Sequence, residues 1–268
     1  MSEIHPTAIV EAGAQIGEGV SIGAFTVVGP GVTLGDGVRL HSHVAVAGLT
    51  TIGARTTIFP FASIGHQPQD LKYRGEASTL SIGTDCIIRE GVTVNPGTEG
   101  GGLATVVGDR CALLANSHIG HDCKVGSNVI LSNNVMLAGH VTVEDNVIFG
   151  GGAAAIQFSR IGTHAFVGGL SGVENDVIPF GSVIGNRARL GGLNVVGLRR
   201  ANLPREQVAD LRRAVKMLFL PEGTLAERVE KLATEFAGSP LVERVVGFIR
   251  AGRDRALTAP RARDREDE

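Results

Sequence analysis

"IGEGVSIGAF", residues 16–25, carries the pattern on which the fold turns. Ile16 and Ile22 stand six residues apart, each is followed by glycine, and a small or β-branched residue commonly sits two positions before the aliphatic one. The spacing extends both ways. Ile4, Val10, Ile16, Ile22, Val28, Leu34, Leu40, Val46, Ile52, Ile58 and Ile64 recur without a miss, and the register returns at Ile82, Ile88 and Val94. It restarts at Val107 and continues through Leu113, Ile119, Val125, Leu131, Leu137, Val143, Phe149, Ala155, Ile161, Val167 and Val173. A period of six matches neither the helical 3.6 nor simple strand alternation. It matches a solenoid of three short flat faces joined by tight turns, so that about 18 residues close one coil and each face sends one aliphatic side chain inward. A narrow triangular interior explains why aromatics make up only 4% of the chain while glycine is found 38 times. Glycine and asparagine, as in Ser132–Asn134, supply the turns, where positive φ costs them little. Stacked coils pair their backbones at about 4.8 Å.

This pattern is similar to the hexapeptide-repeat, left-handed parallel β-helix, and the left hand is taken from that resemblance, because the ordinary crossover rule favours the right. The expected class is mainly β, with the β-helix over 1–186 interrupted by irregular loops near 65–81 and 95–106. The first loop, "GHQPQDLKYRGEASTLS", fills one coil's length with polar and charged residues; the second is rich in glycine. Inserted loops on a solenoid tend to gather on a binding face. A junction at 187–202 leads to an α-helical C-terminal domain over 203–256. There Val208, Leu211, Val215, Leu218 and Phe219 form one stripe, Thr224 and Glu227 make a capping box, and Ser239-Pro240 opens a third helix. The charged residues 257–268 are expected to lack structure.

Three cysteines, Cys86, Cys111 and Cys123, with no CxxC argue against a disulfide framework. No signal-like segment or apolar run of spanning length is read, so a cytoplasmic location is expected, with no membrane span. The formal net charge of −2 is unevenly placed: 17 Lys/Arg face 12 Asp/Glu from Arg187 onward, against 8 and 15 before it. Such asymmetry suits either an acidic partner or a solvated helical surface.

A repeat of 18 turns sequence spacing into spatial stacking. His121, Gly139 and Gln157 fall in one column, and Asp122 and His140 in a second beside it, at roughly 5 Å per step. Histidine is the default general base near neutral pH, aspartate can orient its ring, a glycine N–H can meet an oxyanion, and a glutamine amide can hold a carbonyl or phosphate. The set suits acyl transfer to a hydroxyl by direct attack. A metal centre built on His118, His121 and His140 would need three ligands converging on one ion, and the expectation is no metal. Cys123 is expected to fill core.

Beyond the repeat, "IHPTAIV", "QDLKYRGE", "IREGVTVNPGT", "NSHIGHDCKVG", "NNVMLAGHVTVED", "VGGLSGV" and "GGLNVVGLRRAN" occur in the order seen in the acyl-carrier-protein-dependent UDP-N-acetylglucosamine O-acyltransferases. The resemblance covers all but the charged tail. It implies a homotrimer with each active site between neighbouring solenoids, and no cofactor beyond the phosphopantetheine of acyl carrier protein. The partners it implies are that carrier and a UDP-sugar, with no nucleic acid polymer. The reaction implied is transfer of a (3R)-hydroxyacyl group to the sugar 3-hydroxyl, the first step of lipid A synthesis. By the same resemblance His121 is the base, Asp122 its support and Gly139 the oxyanion donor. Gln69, Asp70, Lys72, His118, His140 and Gln157 contact substrates, Asn194 and Arg200 bind the nucleotide or pantetheine side, and Gly169 bears on acyl length. Ile156, Arg187, Val196 and Asn95 depart from the family's usual residues. These departures leave open an acceptor with an amine at C3. A non-catalytic trimeric scaffold and a metal-dependent hydratase remain as readings of another class.

Overall fold

A computed structural model describes residues 2–252 and 255–261. Pairs of residues at the expected positions form short strands that stack into three parallel sheets, one per face of a triangular prism. Face one begins with Glu3–Ile4, face two with Ile9–Val10 and face three with Gln15–Ile16. Among the described residues they hold 11, 9 and 8 strands, which is why every inward aliphatic residue lies over another in the next coil. On face one Leu40 pairs with Ile58, Ile58 with Ile88 and Ile88 with Leu113, all essentially without solvent exposure. Each such side chain contributes about 2 kcal/mol by leaving water. Among the described residues the first strand of the column is paired on one side alone, and Ile4 is 46% exposed.

The corners divide the turn chemistry in two. Left-handed backbone falls on asparagines such as Asn116, Asn128, Asn134 and Asn146, but also on Phe25, Asp122, His140 and Phe158. Positive φ is therefore the rule of the corner and marks no special strain at Asp122 or His140. The glycine that follows each aliphatic residue serves another purpose. A Cβ on Gly53 would lie 2.5 Å from the backbone carbon of Gly83, so glycine there admits the next coil.

The stretch 65–81 does not form a coil. Ser63–Ile64 pairs in register with Thr93–Val94, and Leu49–Ile52 with Thr79–Ile82, each across 30 residues in place of 18. Twelve residues thus leave the ladder between faces two and three. The second excursion, with a short 3₁₀ turn at Glu99–Gly101, leaves at the same edge. The interrupted edge is the one that carries His121.

The stretch 187–202 is structured as well. Arg189–Leu193 pairs antiparallel with Gly181–Ile184, and a short helix, α1 (Val195–Arg200), follows. Three helices that pack against one another come next: α2 (Arg205–Leu218), α3 (Leu225–Glu235) and α4 (Pro240–Arg250). Thr224 and Glu227 form the capping box in both directions. Ser239 stands at the N-cap of α4, but its buried hydroxyl makes no hydrogen bond among the described residues.

The tail corrects one expectation. Residues from Leu257 on were expected to lack structure, yet Asp176 N–H donates to the Ala256 carbonyl, Thr258 N–H to the Asp176 carbonyl, and Leu190 N–H to the Ala259 carbonyl. The open end of the solenoid offers unpaired backbone groups, and the returning chain satisfies them. Residues 262–268, the rest of that expectation, lie outside the described residues. No helix among the described residues is long and apolar enough to cross a membrane.

Candidate active site

His121 follows the face-two strand His118–Ile119 and sits at the edge between faces two and three. Its Nδ1 lies 2.8 Å from Asp122 Oδ2. Asp122 is 4% exposed, and its carboxylate is filled from the second excursion: Thr98 N–H donates to Oδ1 at 2.9 Å and the Thr98 hydroxyl to Oδ2 at 2.6 Å. Asp122 N–H in turn donates to Thr105 Oγ1 at 2.7 Å. With Nδ1 directed at a carboxylate, the neutral ring carries its proton there and Nε2 is left as the acceptor.

One coil on, Gly139 lies beneath the His121 ring. A Cβ at that position would stand 2.5 Å from both Cε1 and Nε2 of His121, so only glycine lets the ring rest there. A second effect is visible by contrast with the edge between faces three and one. There the corner N–H of Glu18, Thr84 and Ser127 is capped from the next coil by Asp36, Asp109 and Asp145. The equivalent cap for His121 would come from residue 139, which has no side chain. Among the described residues neither His121 N–H nor Gly139 N–H donates a hydrogen bond, leaving two backbone donors beside the imidazole. The column contains the parts that base-assisted acyl transfer needs.

His140 continues the second column. Its ring meets that of His121 edge-on at 4.9 Å and stacks on Phe158 at 4.4 Å, with Nδ1 3.9 Å from Asp122 Oδ2. Burial lowers its pKa, with Asp122 opposing and His121 adding to the shift. His118 reaches Thr93 Oγ1 at 2.7 Å, and burial, reinforced by His121, lowers its pKa too. At both rings burial thus favours the neutral form, which can hydrogen-bond uncharged substrate groups. Cys123 is wholly buried, and desolvation pushes its thiol up to about 12, as befits core.

Asp70, in the first excursion, is close enough for its charge to act on His140, while Gln69 and Lys72 lie exposed beside it. Gln157 ends the His121 column at the surface, where its carbonyl accepts from Arg255 at 2.9 Å. A cavity of about 650 Å³ opens next to His140 and Phe158 and is walled by Arg160 and Arg255.

Three expected residues are not brought to this edge by the single chain. Gly169 lies at the edge between faces one and two, against the Gly151 backbone. Asn194 lies towards the edge between faces three and one. Its amide caps α1 by accepting from Gly197 N–H at 3.0 Å and donates to the His164 carbonyl at 2.9 Å, so both ends are used by the fold. Arg200 is exposed at the end of α1.

His121, Asp122 and His140 each offer one potential metal ligand, all within 4.8 Å of one another, the one such group among the described residues. The shared carboxylate already accepts three protein hydrogens, which disfavours its use as a ligand. Thr98, Thr105 and Phe158 were missed in sequence because the 18-residue arithmetic skips the excursion that supplies Thr98 and gives no weight to flanking hydroxyls and rings.

Known proteins share this architecture throughout. Two segments, 13–48 and 104–139, match the family model described as bacterial transferase hexapeptide (six repeats), and 176–258 matches UDP N-acetylglucosamine O-acyltransferase, domain 2. The acyl-[acyl-carrier-protein]–UDP-N-acetylglucosamine O-acyltransferase of Methylobacterium radiotolerans is 64% identical over 96% of this chain and 95% of its own. The protein of that name from Agrobacterium fabrum is 52% identical over 97% and 96%. A crystal structure of UDP-N-acetylglucosamine acyltransferase superposes with a TM-score of 0.94 at 43% identity, covering 97% of this chain and all of the other. The Francisella novicida enzyme gives 0.93 at 34%, covering 97% and 95%. The solenoid, the helical domain and the matching extent together place the chain in the family of acyl-[acyl-carrier-protein]–UDP-N-acetylglucosamine O-acyltransferases.

Proposed function

We propose that His121 is the general base with which this UDP-N-acetylglucosamine O-acyltransferase performs the first step of lipid A biosynthesis. The observation that carries the assignment is the buried Asp122 carboxylate 2.8 Å from His121 Nδ1, with Nε2 lying over the glycine at 139. Nε2 takes the proton of the sugar 3-hydroxyl while that oxygen attacks the thioester carbonyl of a (3R)-hydroxyacyl carrier protein. The tetrahedral oxyanion meets the free N–H of Gly139. Collapse breaks the C–S bond, and the imidazolium returns its proton to the departing thiolate. His118, His140 and Gln157, with Gln69, Asp70 and Lys72 in the excursion, hold the substrates. The positive surface of α2, with Arg212 and Arg213 exposed, suits an acidic carrier protein.

The separation of the expected residues supports a shared site. Put three prisms around an axis with face one of each against face two of the next. The edge carrying His121 then adjoins the neighbour's edge carrying Asn194 and Arg200, and Gly169 points to the axis at the inner end of the groove. Outward residues favour this packing: face two presents Ile9, Val27, Ala45, Thr93, Met136 and Ala154, without a charge in its strands.

The test is a transfer assay with carrier proteins of several acyl lengths, offering UDP-N-acetylglucosamine beside its 3-amino analogue. Preference for the natural hydroxyl acceptor and collapse of the rate in His121→Ala support the reading. An unimpaired His121→Ala enzyme overturns the base assignment, and preference for the amine reassigns the acceptor.

A further inference from the structure

The second excursion begins "NPGT", residues 95–98, and its two ends hold different parts of the site. Asn95 is 6% exposed. Its N–H donates to the Ile119 carbonyl at 3.1 Å, which seats it in the coil directly before His121. Its side-chain amide donates to the His66 carbonyl at 3.1 Å and to the Gln67 carbonyl at 3.4 Å, at the root of the excursion that carries Gln69, Asp70 and Lys72. Thr98, 4% exposed, grips Asp122 through backbone and hydroxyl together. Its carbonyl accepts from Gly101 and Leu103, which folds the turn back on itself, and Gly101 then lies so close to the Asp122 carboxyl that no Cβ fits between them. Glu76, from the first excursion, accepts from Glu99 N–H at 3.1 Å and ties the two loops together.

We propose that residues 95–98 form a two-ended clamp in which Thr98 and Asn95 are positioning residues for separate halves of the site. Thr98 fixes the rotation of the Asp122 carboxyl, and through it the His121 ring. Asn95 fixes the root of the sugar-side loop. A carboxylate has about four lone-pair sites; with three donors on Asp122, the carboxyl cannot turn without breaking a charge-assisted bond. Neither residue touches the reacting atoms. The inference rests on His121 acting as the base.

The experiment is steady-state kinetics of Thr98→Val, Thr98→Ser and Asn95→Ala beside His121→Ala, with thermal melts of each. Thr98→Val should lower kcat about 10- to 100-fold while KM for UDP-N-acetylglucosamine stays within about threefold, the size of effect expected for a hydrogen bond to a charged group. Thr98→Ser, which keeps the hydroxyl, should restore most of the rate. Asn95→Ala should do the opposite, raising KM about tenfold with kcat little changed. A general structural role would move both parameters together in step with the melts, and that result overturns the clamp. So does wild-type kcat in Thr98→Val, or Thr98→Ser no better than Thr98→Val. If the valine variant does not fold, Thr98→Ala against Thr98→Ser reads the same difference. Full rate in His121→Ala would instead mean that the base assignment itself has failed.

Discussion

Gly139 shows how one missing side chain serves two purposes. It leaves room for the His121 ring, and it removes the cap that aspartates provide for the equivalent N–H groups on another edge. Gly139→Ala should therefore cost activity out of proportion to stability. The added methyl pushes the ring off the column, and a fall in kcat of about 100-fold or more is expected, the range in which oxyanion-site losses lie. Kinetics alongside a thermal melt would check it; an active alanine variant would remove the column from the mechanism. His121→Ala should lose about 10²–10⁴ in rate. Adding a chelator to the wild type should change nothing, since the Asp122 carboxylate is already occupied by protein donors. At this scale the sequence is legible where the repeat is regular: His121, Asp122, Gly139 and His140 come together by counting eighteens. Thr98 and Asn95 are illegible for the same reason, because their contacts cross extra residues that no period describes.

Among the elements, the return of the chain onto the solenoid's end is the feature that composition hides. "ALTAP" reads as a polar, aperiodic tail, but it pairs because the last coil exposes backbone groups that have no further coil to meet. Behind it Asp176, 1% exposed, is paired with Arg160 at 2.6 Å, and the same guanidinium stacks over Phe248 of α4 at 4.2 Å and donates to its carbonyl. Arg160 thereby joins solenoid, tail and helical domain. Arg160→Met should destabilise the protein by about 3–5 kcal/mol, because it leaves a buried carboxylate without its cation. Chemical denaturation would measure this, and a loss below about 1 kcal/mol would mean that the pair is dispensable. The helices were readable from stripe and capping box; α1 and the hairpin before it were not, being too short and glycine-rich to show a period.

For the whole molecule, the pKa directions of three histidines set an acid limit. His118, His140 and His164 are all lowered, first by burial, so the folded state binds fewer protons than the unfolded chain once the pH nears the ordinary histidine value of about 6.5. Stability is unaffected by these groups above that value and should decline as the pH falls through it towards their lower folded values. Melting temperatures between pH 8 and 5 would show the decline, and His118→Gln should reduce it; a flat profile would refute the linkage. Assembly is tested by complementation. If His121 of one copy works with Arg200 of the next, co-expressed His121→Ala and Arg200→Ala chains should regain activity at about a quarter of the sites. A site contained in one chain would regain none. The prism was legible from its period; the partition of its edges between copies was not, because no repeat reports which faces meet.

The stacking of coils also makes the molecule unequally tolerant of changes in length. Each coil touches only its neighbours, so removing the 18 residues 17–34 shortens the prism by one step and leaves every later side chain on its own edge. Removing six residues from the same region closes the coils equally well, but it turns the first part of the chain by one face relative to the rest. Loss of a whole coil between His121 and Gln157 would keep all three faces intact and still remove Gly139 from beneath the His121 ring. In this fold the unit of harmless variation is the full turn, and only on one side of the site.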